Sequence, residues 1–74
     1  MTADQFREAA IEIFGERGWT SSLSGALGVE RTQVWRYLNG RTPVPGPVRA
    51  CMACWLANFR RDGTVPAPLD EVEA

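Results

Sequence analysis

Glycine positions divide this chain into short segments, and this division limits what the chain can fold into. Gly18, Gly28 and Gly40 separate four stretches in which apolar residues recur every three or four positions, the spacing of amphipathic helices. Thr2 and Gln5 are spaced as a capping box that would start the first helix. No stretch alternates apolar and polar residues over a useful length, so strands are not expected. The predicted helices span residues 3–17, 20–27, 30–39 and 47–61.

The 74 residues are enough for one domain with a single small core. We therefore predict an all-α fold, a small four- to five-helix bundle over residues 1–61. The remaining segment, residues 62–74, contains prolines and acids and is expected to be a flexible tail. Such a small chain leaves little room for a substrate cleft, and it contains no histidine. We therefore expect no catalytic residues and no enzymatic function.

Charge is strongly segregated along the chain, although the formal net charge is only −1. Residues 1–30 hold two arginines and five acids, residues 31–61 hold six arginines and no acid, and residues 62–74 hold four acids. An arginine-rich middle section is the kind of electrostatic footprint that binds a polyanion. A solvated surface with unevenly placed charge is the alternative interpretation.

Several other classes of protein are disfavoured by simple features. No apolar run approaches the roughly 18 residues of a membrane span, and residues 1–7 lack the pattern of a secretory signal, so we expect a cytoplasmic protein without membrane contact. Cys51 and Cys54 are too few for a disulfide framework and lack the further ligands of a zinc site. We therefore expect no metal, no cofactor and two buried thiols. A zinc ion shared by two chains, with two cysteines from each, is the alternative.

The segment over residues 23–40 has the spacing of two short helices joined by a tight turn. Ser24 is small where the second helix would cross the first, Gly28 can take a positive φ in the turn, and Val29 can fill the angle between the helices. The segment resembles the helix-turn-helix of Cro- and lambda-repressor-like DNA-binding proteins, in particular small phage or mobile-element regulators. It departs from that family at Ser24, where alanine is usual, at Glu30, where a capping residue is usual, and in having fewer than five clear helices.

The resemblance implies that the helix over residues 30–39 enters the major groove of duplex DNA. The side chains that would read bases are Arg31, Thr32, Gln33 and Arg36. Their chemistry suits this role, because arginine can pair with guanine and glutamine with adenine. The residues that would contact phosphates are Thr20, Ser21, Ser22, Trp35, Asn39 and Arg41.

Each of these roles has a plain structural alternative. Arg31 and Arg36 could pair with nearby acids such as Glu30, the hydroxyls at positions 20–22 could simply cap their helix, and Trp35 could pack against the last helix. Glu30 is expected to be an indifferent solvated acid. Its alternative roles are to orient Arg31 or to accept a hydrogen bond from cytosine.

The last predicted helix carries more apolar residues than one short helix needs, so Trp55 and Phe59 are expected to form a dimer interface. The resemblance then implies a homodimeric, autoregulatory transcriptional repressor that binds double-stranded DNA at a palindromic operator. The alternative is an antitoxin-like or other interaction module whose tail, residues 62–74, binds a partner protein. A further alternative is that this acidic tail covers the arginine-rich surface in the free protein.

Overall fold

The computed structural model describes residues 1–69 and is helical without strands over that range. The helices are α1 (Ala3–Phe14), α2 (Trp19–Leu27), α3 (Arg31–Leu38) and α4 (Gly46–Asp62). This confirms the all-α prediction, with four helices in the described part of the chain. None of these four helices is long and apolar enough to cross a membrane. The last acids of the predicted tail, at positions 70, 71 and 73, lie outside the described residues.

α1 starts as expected and ends earlier than expected. The backbone N–H of Gln5 donates to Thr2 Oγ1 at 3.1 Å, and the N–H of Thr2 donates to Gln5 Oε1 at 2.9 Å, which confirms the capping box. The helix ends at Phe14 because Gly15 takes φ +87°, a conformation that an L-residue in a helix cannot adopt. The predicted extension to residue 17 is therefore wrong by three residues.

The other three helices lie within one residue of their predicted bounds. α2 begins directly after Gly18, which takes φ +70°, and α3 begins after Glu30, whose extended backbone starts the helix. α4 has Pro47 in its first turn and ends at Gly63, with φ +78°. Proline is favoured at the start of a helix and glycine just past its end, which explains why α4 was well predicted.

α1 is the central helix and packs against each of the other three. The ring of Phe6 is fully buried and meets Tyr37 of α3 edge-on, with the ring centroids 5.8 Å apart. Leu23 of α2, Val34 of α3 and Met52 of α4 are also fully buried. One small core thus holds α2 and α3 in place through their contacts with α1.

The chain leaves α4 through a turn that sends it back across the molecule. Thr64 donates to Asp62 Oδ1 through its hydroxyl and through its backbone N–H, the latter at 3.0 Å. These two hydrogen bonds, the hydroxyl's first, hold the pKa of the Asp62 carboxyl below its ordinary value. Pro68 and Leu69 then lie against α2. The sequence pattern predicted a flexible tail and did not predict this contact.

Candidate nucleic-acid interface

The turn between α2 and α3 is closed by hydrogen bonds to one residue of α2. Gly28 takes φ +71°, and the N–H groups of Gly28 and Val29 donate to the carbonyl of Ser24 at 3.0 and 3.2 Å. The Ser24 hydroxyl donates in return to the carbonyl of Val29 at 2.6 Å. Ser24 was expected only to be small. Its hydroxyl also satisfies a turn carbonyl, which alanine at this position could not do.

The turn presents α3 with one face inward and the other toward solvent. The buried side chains of α3 are Val34, Tyr37 and Leu38. Gln33 is half-buried. The exposed residues between positions 31 and 39 are Arg31, Thr32, Trp35, Arg36 and Asn39. The inward face was predicted correctly from helical spacing, and all four predicted base-reading residues retain some contact with solvent.

Three of the four predicted base-reading residues share one depression on the surface. Its volume is about 370 Å³, and Thr32, Gln33 and Arg36 line it together with Gly28, Val29 and Glu30. The depression is open to solvent and lies where the turn meets the outer face of α3. Its lining offers a guanidinium, an amide and a hydroxyl side by side, which are the donors and acceptors that base edges require.

Arg31 points away from this depression and toward α2. Its Nη2 donates to the Oγ of Ser21 at 2.6 Å, which joins the first residue of α3 to the first turn of α2. Thr20 is half-buried, and Ser22 is exposed. The alternative that these hydroxyls cap their helix is wrong, because Gly18 is the N-cap and has no side chain to supply a bond.

The exposed hydroxyls, the Arg31 guanidinium and the start of α2 therefore form one polar cluster. The first three residues of α2 have N–H groups without helical acceptors, as in every α-helix, and such a terminus favours an anion. The cluster combines these donors with a cation. Its composition is that of a phosphate site.

Asn39 and Arg41 lie at the opposite end of α3, and both are exposed. The N–H of Asn39 donates to the carbonyl of Trp35 at 2.9 Å, and the N–H of Arg41 donates to the carbonyl of Arg36 at 3.1 Å. These bonds keep the chain close to the helix after its last turn. The 8 residues of α3 rise about 12 Å along its axis, so the two polar groups lie at opposite ends of the helix.

Two arginines of α4 form ion pairs with carboxylates, whereas the arginines of α3 form none within the described residues. Within residues 1–69 the ion pairs are Arg60 with Glu12 at 2.7 Å and Arg61 with Asp62 at 3.3 Å. In that range neither Arg31 nor Arg36 meets an acid, so the alternative pairing with Glu30 is wrong for the described residues. The α3 cations thus face solvent without an acidic partner from this part of the chain.

Trp35 is the most exposed large apolar side chain among residues 1–69, with 57% of its surface accessible. The alternative that it packs against the last helix is wrong, because a packed indole would lose most of that surface. It lies one helical turn after Arg31, on the solvent face of α3. An exposed indole beside cations has the amphipathic character found at binding surfaces.

The predicted dimer residues lie on α4 and are both half-buried within their own chain. Trp55 packs edge-on against Phe14 of α1, with the ring centroids 6.4 Å apart. The exposed side of the helix combines small and charged residues. The small ones are Ala50, Ala53, Cys54 and Ala57, and the charged ones include Arg49, Arg60 and Arg61.

The two cysteines of α4 differ in exposure. Cys51 is half-buried and Cys54 is exposed, so the expectation of two buried thiols is wrong for Cys54. Burial first, and the neighbouring Cys54 second, raise the pKa of the Cys51 thiol. In the described range, no three His, Cys, Asp or Glu side chains cluster closely enough to hold a metal ion.

Sequence reasoning missed two features of this surface. The Arg31–Ser21 bond joins residues ten positions apart on different helices, and the tail reaches Gly28 at the edge of the depression. The nearest sequence signals were Gly25 inside a predicted helix and a proline-containing tail.

Comparison of the chain with protein-family models, curated proteins and solved structures found no match.

Proposed function

We propose that this chain is a sequence-specific DNA-binding regulator, in which α2 and α3 form a helix-turn-helix and α3 enters the major groove. One observation carries the proposal. Thr32, Gln33 and Arg36 line an open depression on the exposed face of α3, and Arg36 forms no ion pair among residues 1–69, although Glu30 also lines the depression. Surface cations left unpaired in this way are available to an external anion.

The two ends of α3 supply a reason for DNA rather than a small anion. The Arg31–Ser21 cluster lies at the start of α3, and the Asn39–Arg41 segment follows its last turn. Phosphates on the two walls of the groove would meet these ends, while Thr32, Gln33 and Arg36 face the bases. Phosphate contacts set the position and base contacts select the sequence.

Arg36 is the residue expected to contribute most to sequence selection. Its guanidinium lines the depression and can form a bidentate pair with guanine. Arg31 acts as the bridge between phosphate and base, since its guanidinium is held at the start of α2. Trp35 lies along the sugar–phosphate backbone or a thymine methyl group, where an indole can shed its exposed apolar surface.

The regulator acts as a homodimer on a palindromic operator. One chain measures 31 × 26 × 25 Å along its principal axes, so two chains side by side can set their α3 helices about 34 Å apart, one turn of DNA. The exposed alanine face of α4, with Trp55 and Phe59 at its edges, supplies the contact. Occupying the promoter of its own gene would repress transcription without any further domain.

The direct test is a salt series of binding to DNA upstream of the chain's own gene and to duplexes selected from a random library. Wild type is compared with Arg36→Ala and with Arg7→Ala, a control that removes an exposed arginine of α1. We expect selective binding that weakens steeply with salt, and a loss of about 1–3 kcal/mol of discrimination in Arg36→Ala only. Equal losses in both variants, or no binding at low salt, would contradict the proposal.

A protein-interaction module is the second candidate, and exposed apolar residues in the tail favour it. Val65 and Leu69 are 49% and 40% exposed, and an interaction partner could cover both. In that case deleting residues 64–74 would abolish capture of the partner. DNA binding that survives the deletion would separate this function from the first.

A further inference from the structure

Gly25 of α2 and Gly28, directly after the last residue of α2, leave a patch of backbone without side chains. Gly25 and Gly28 are three residues apart and therefore lie on the same face. Glycine inside a helix costs about 1 kcal/mol relative to alanine, so Gly25 weakens α2. The structure shows what the missing side chains make room for, since Pro68 lies against Gly25 and Leu69 against Gly28.

Consecutive residues of the tail fill this patch. A Cβ atom built on Gly25 would lie 3.5 Å from Cβ of Pro68, which is an ordinary contact. A Cβ atom built on Gly28 would overlap Cδ1 of Leu69. Leu69 therefore occupies the space that any residue other than glycine would fill at the turn.

The path from α4 to this patch is stiffened along its length. The bonds from Thr64 to Asp62 fix the direction in which the chain leaves α4. Pro66 and Pro68 then restrict the backbone and lower the entropy that docking must overcome. We call residues 64–69 the strap.

The strap ends at the candidate DNA surface. Gly28, against which Leu69 lies, also lines the depression with Thr32, Gln33 and Arg36. After Leu69 the sequence continues with acids at positions 70, 71 and 73. The docked strap thus brings Leu69 to the edge of the depression that DNA bases would need to reach, and the sequence that follows it is acidic.

We propose that the strap is an intrachain competitor of DNA, held on the glycine patch by Pro68 and Leu69. This inference rests on the proposed DNA-binding function. Leu69 keeps 40% of its surface exposed, so the contact is weak enough for DNA to displace. A competitor that is docked nine-tenths of the time lowers the apparent affinity about tenfold, and any modification or partner that releases the strap raises it.

The test compares Leu69→Ser with Val65→Ser in the full chain. Val65 belongs to the same strap and is more exposed than Leu69, so its substitution controls for lost apolar character. Docking is measured without DNA, from the NMR amide signals of Gly25 and Gly28. Affinity is measured on a selected duplex. We expect Leu69→Ser to shift both glycine signals and to raise affinity about three- to tenfold, and Val65→Ser to do neither.

A second experiment tests whether the acids at positions 70, 71 and 73 weaken DNA binding only while the strap is docked. The triple variant Asp70→Asn, Glu71→Gln, Glu73→Gln is made alone and in the Leu69→Ser background. Neutralisation is expected to raise affinity more in the chain that keeps Leu69 than in the Leu69→Ser background. Equal gains would mean that the acids repel DNA without docking, which overturns the competitive role.

The remaining outcomes separate the strap from the proposed function. Glycine signals that do not move in Leu69→Ser overturn docking itself. Shifted signals with unchanged DNA affinity overturn the competition while leaving DNA binding intact. If neither wild type nor Leu69→Ser binds any duplex, the DNA-binding proposal fails and the competitive role fails with it, although shifted glycine signals would still establish the docked strap.

Discussion

Arginine side chains meet different partners on the two sides of this molecule. On the α1–α4 side, Arg60 makes two bonds to the carboxylate of Glu12, at 2.7 and 3.0 Å, beside the packed rings of Phe14 and Trp55. On the α2–α3 side, the one hydrogen-bond partner of the Arg31 side chain within residues 1–69 is a hydroxyl, and Trp35 remains 57% exposed.

The difference separates what holds the fold together from what remains available for binding. The first side holds the Arg60–Glu12 ion pair and packs the rings of Phe14 and Trp55 edge-on within the chain. The second side buries a narrow apolar face of α3 and leaves its cations and indole at the surface. Substitutions on the two sides should therefore differ in whether they alter stability or binding, and the following predictions test that division.

The largest effect is expected where the two sides share a residue. Phe6→Ala removes a fully buried ring that joins α1 to Tyr37 of α3, and such a truncation costs about 3–5 kcal/mol. A domain of this size has a total stability of about 4–11 kcal/mol, so much of the fold, and DNA binding with it, should be lost. Urea denaturation followed by circular dichroism measures the change.

Phe14→Ala is the matched control for Phe6→Ala. Phe14 is half-buried at the edge of the core, and its ring meets Trp55 of α4, so its loss of stability should be smaller. If Phe14→Ala were the more damaging of the two, α1 would not be the shared centre of the core.

The next prediction compares two arginine variants, of which one should weaken DNA binding and the other should lower stability. Arg31→Ala should cost about 1–3 kcal/mol of DNA binding with little change in the free energy of unfolding, because its bond to Ser21 is exposed. Arg60→Ala should lower stability slightly and leave DNA affinity unchanged. Binding titrations measure the DNA affinity of both variants, and thermal melts measure their stability. A loss of DNA affinity in Arg60→Ala would contradict the division between the two sides.

Two glycine substitutions sharpen the comparison within the α2–α3 side. Gly28→Ala places a side chain at φ +71°, which costs about 1–2 kcal/mol, and also crowds Leu69. Gly25→Ala should instead stabilise the chain by about 0.5–1 kcal/mol, because a Cβ atom there makes only an ordinary contact with Pro68. Thermal melts should therefore move in opposite directions. Equal shifts would mean that the turn at Gly28 does not require a positive φ.

The helices and their inward faces could be predicted from the sequence because they depend on local spacing. The capping box at Thr2 and Gln5, and the buried side of α3, are confirmed by the structure. The end of α1 was missed because helical spacing continues past Gly15. Only the backbone geometry shows that this glycine takes a positive φ.

The contacts that define the candidate site could be predicted only in part. Which α3 residues face outward follows from the period of the helix. The bond from Arg31 to Ser21 and the position of Leu69 over Gly28 depend on how distant segments are oriented. Neither spacing nor composition carries that information, and the exposure of Cys54 was missed for the same reason.

The smallest effect concerns the pH dependence of stability. The hydrogen bond from Arg60, with its charge as a further cause, holds the pKa of Glu12 below its ordinary value of 4.5. A carboxyl whose pKa is lower in the folded state stabilises the fold above the unfolded pKa, and this contribution is lost as the pH falls through the folded value. Wild type should therefore lose stability below about pH 4.5 to a greater extent than Glu12→Gln does.

The control for this pH effect comes from the other side of the molecule. Arg31→Ala should leave the difference between wild type and Glu12→Gln unchanged, because its partner Ser21 does not titrate in this range. Asp62 also has a lowered pKa and destabilises every variant alike on acidification, so only the difference between chains isolates Glu12. Denaturation midpoints at pH 7 and pH 3.5 measure how much stability wild type and Glu12→Gln each lose on acidification. Glu12→Gln could instead lose as much stability as wild type between these pH values. The Glu12–Arg60 pair would then not stabilise the α1–α4 side. The contrast between that side and α3 would rest on aromatic packing alone.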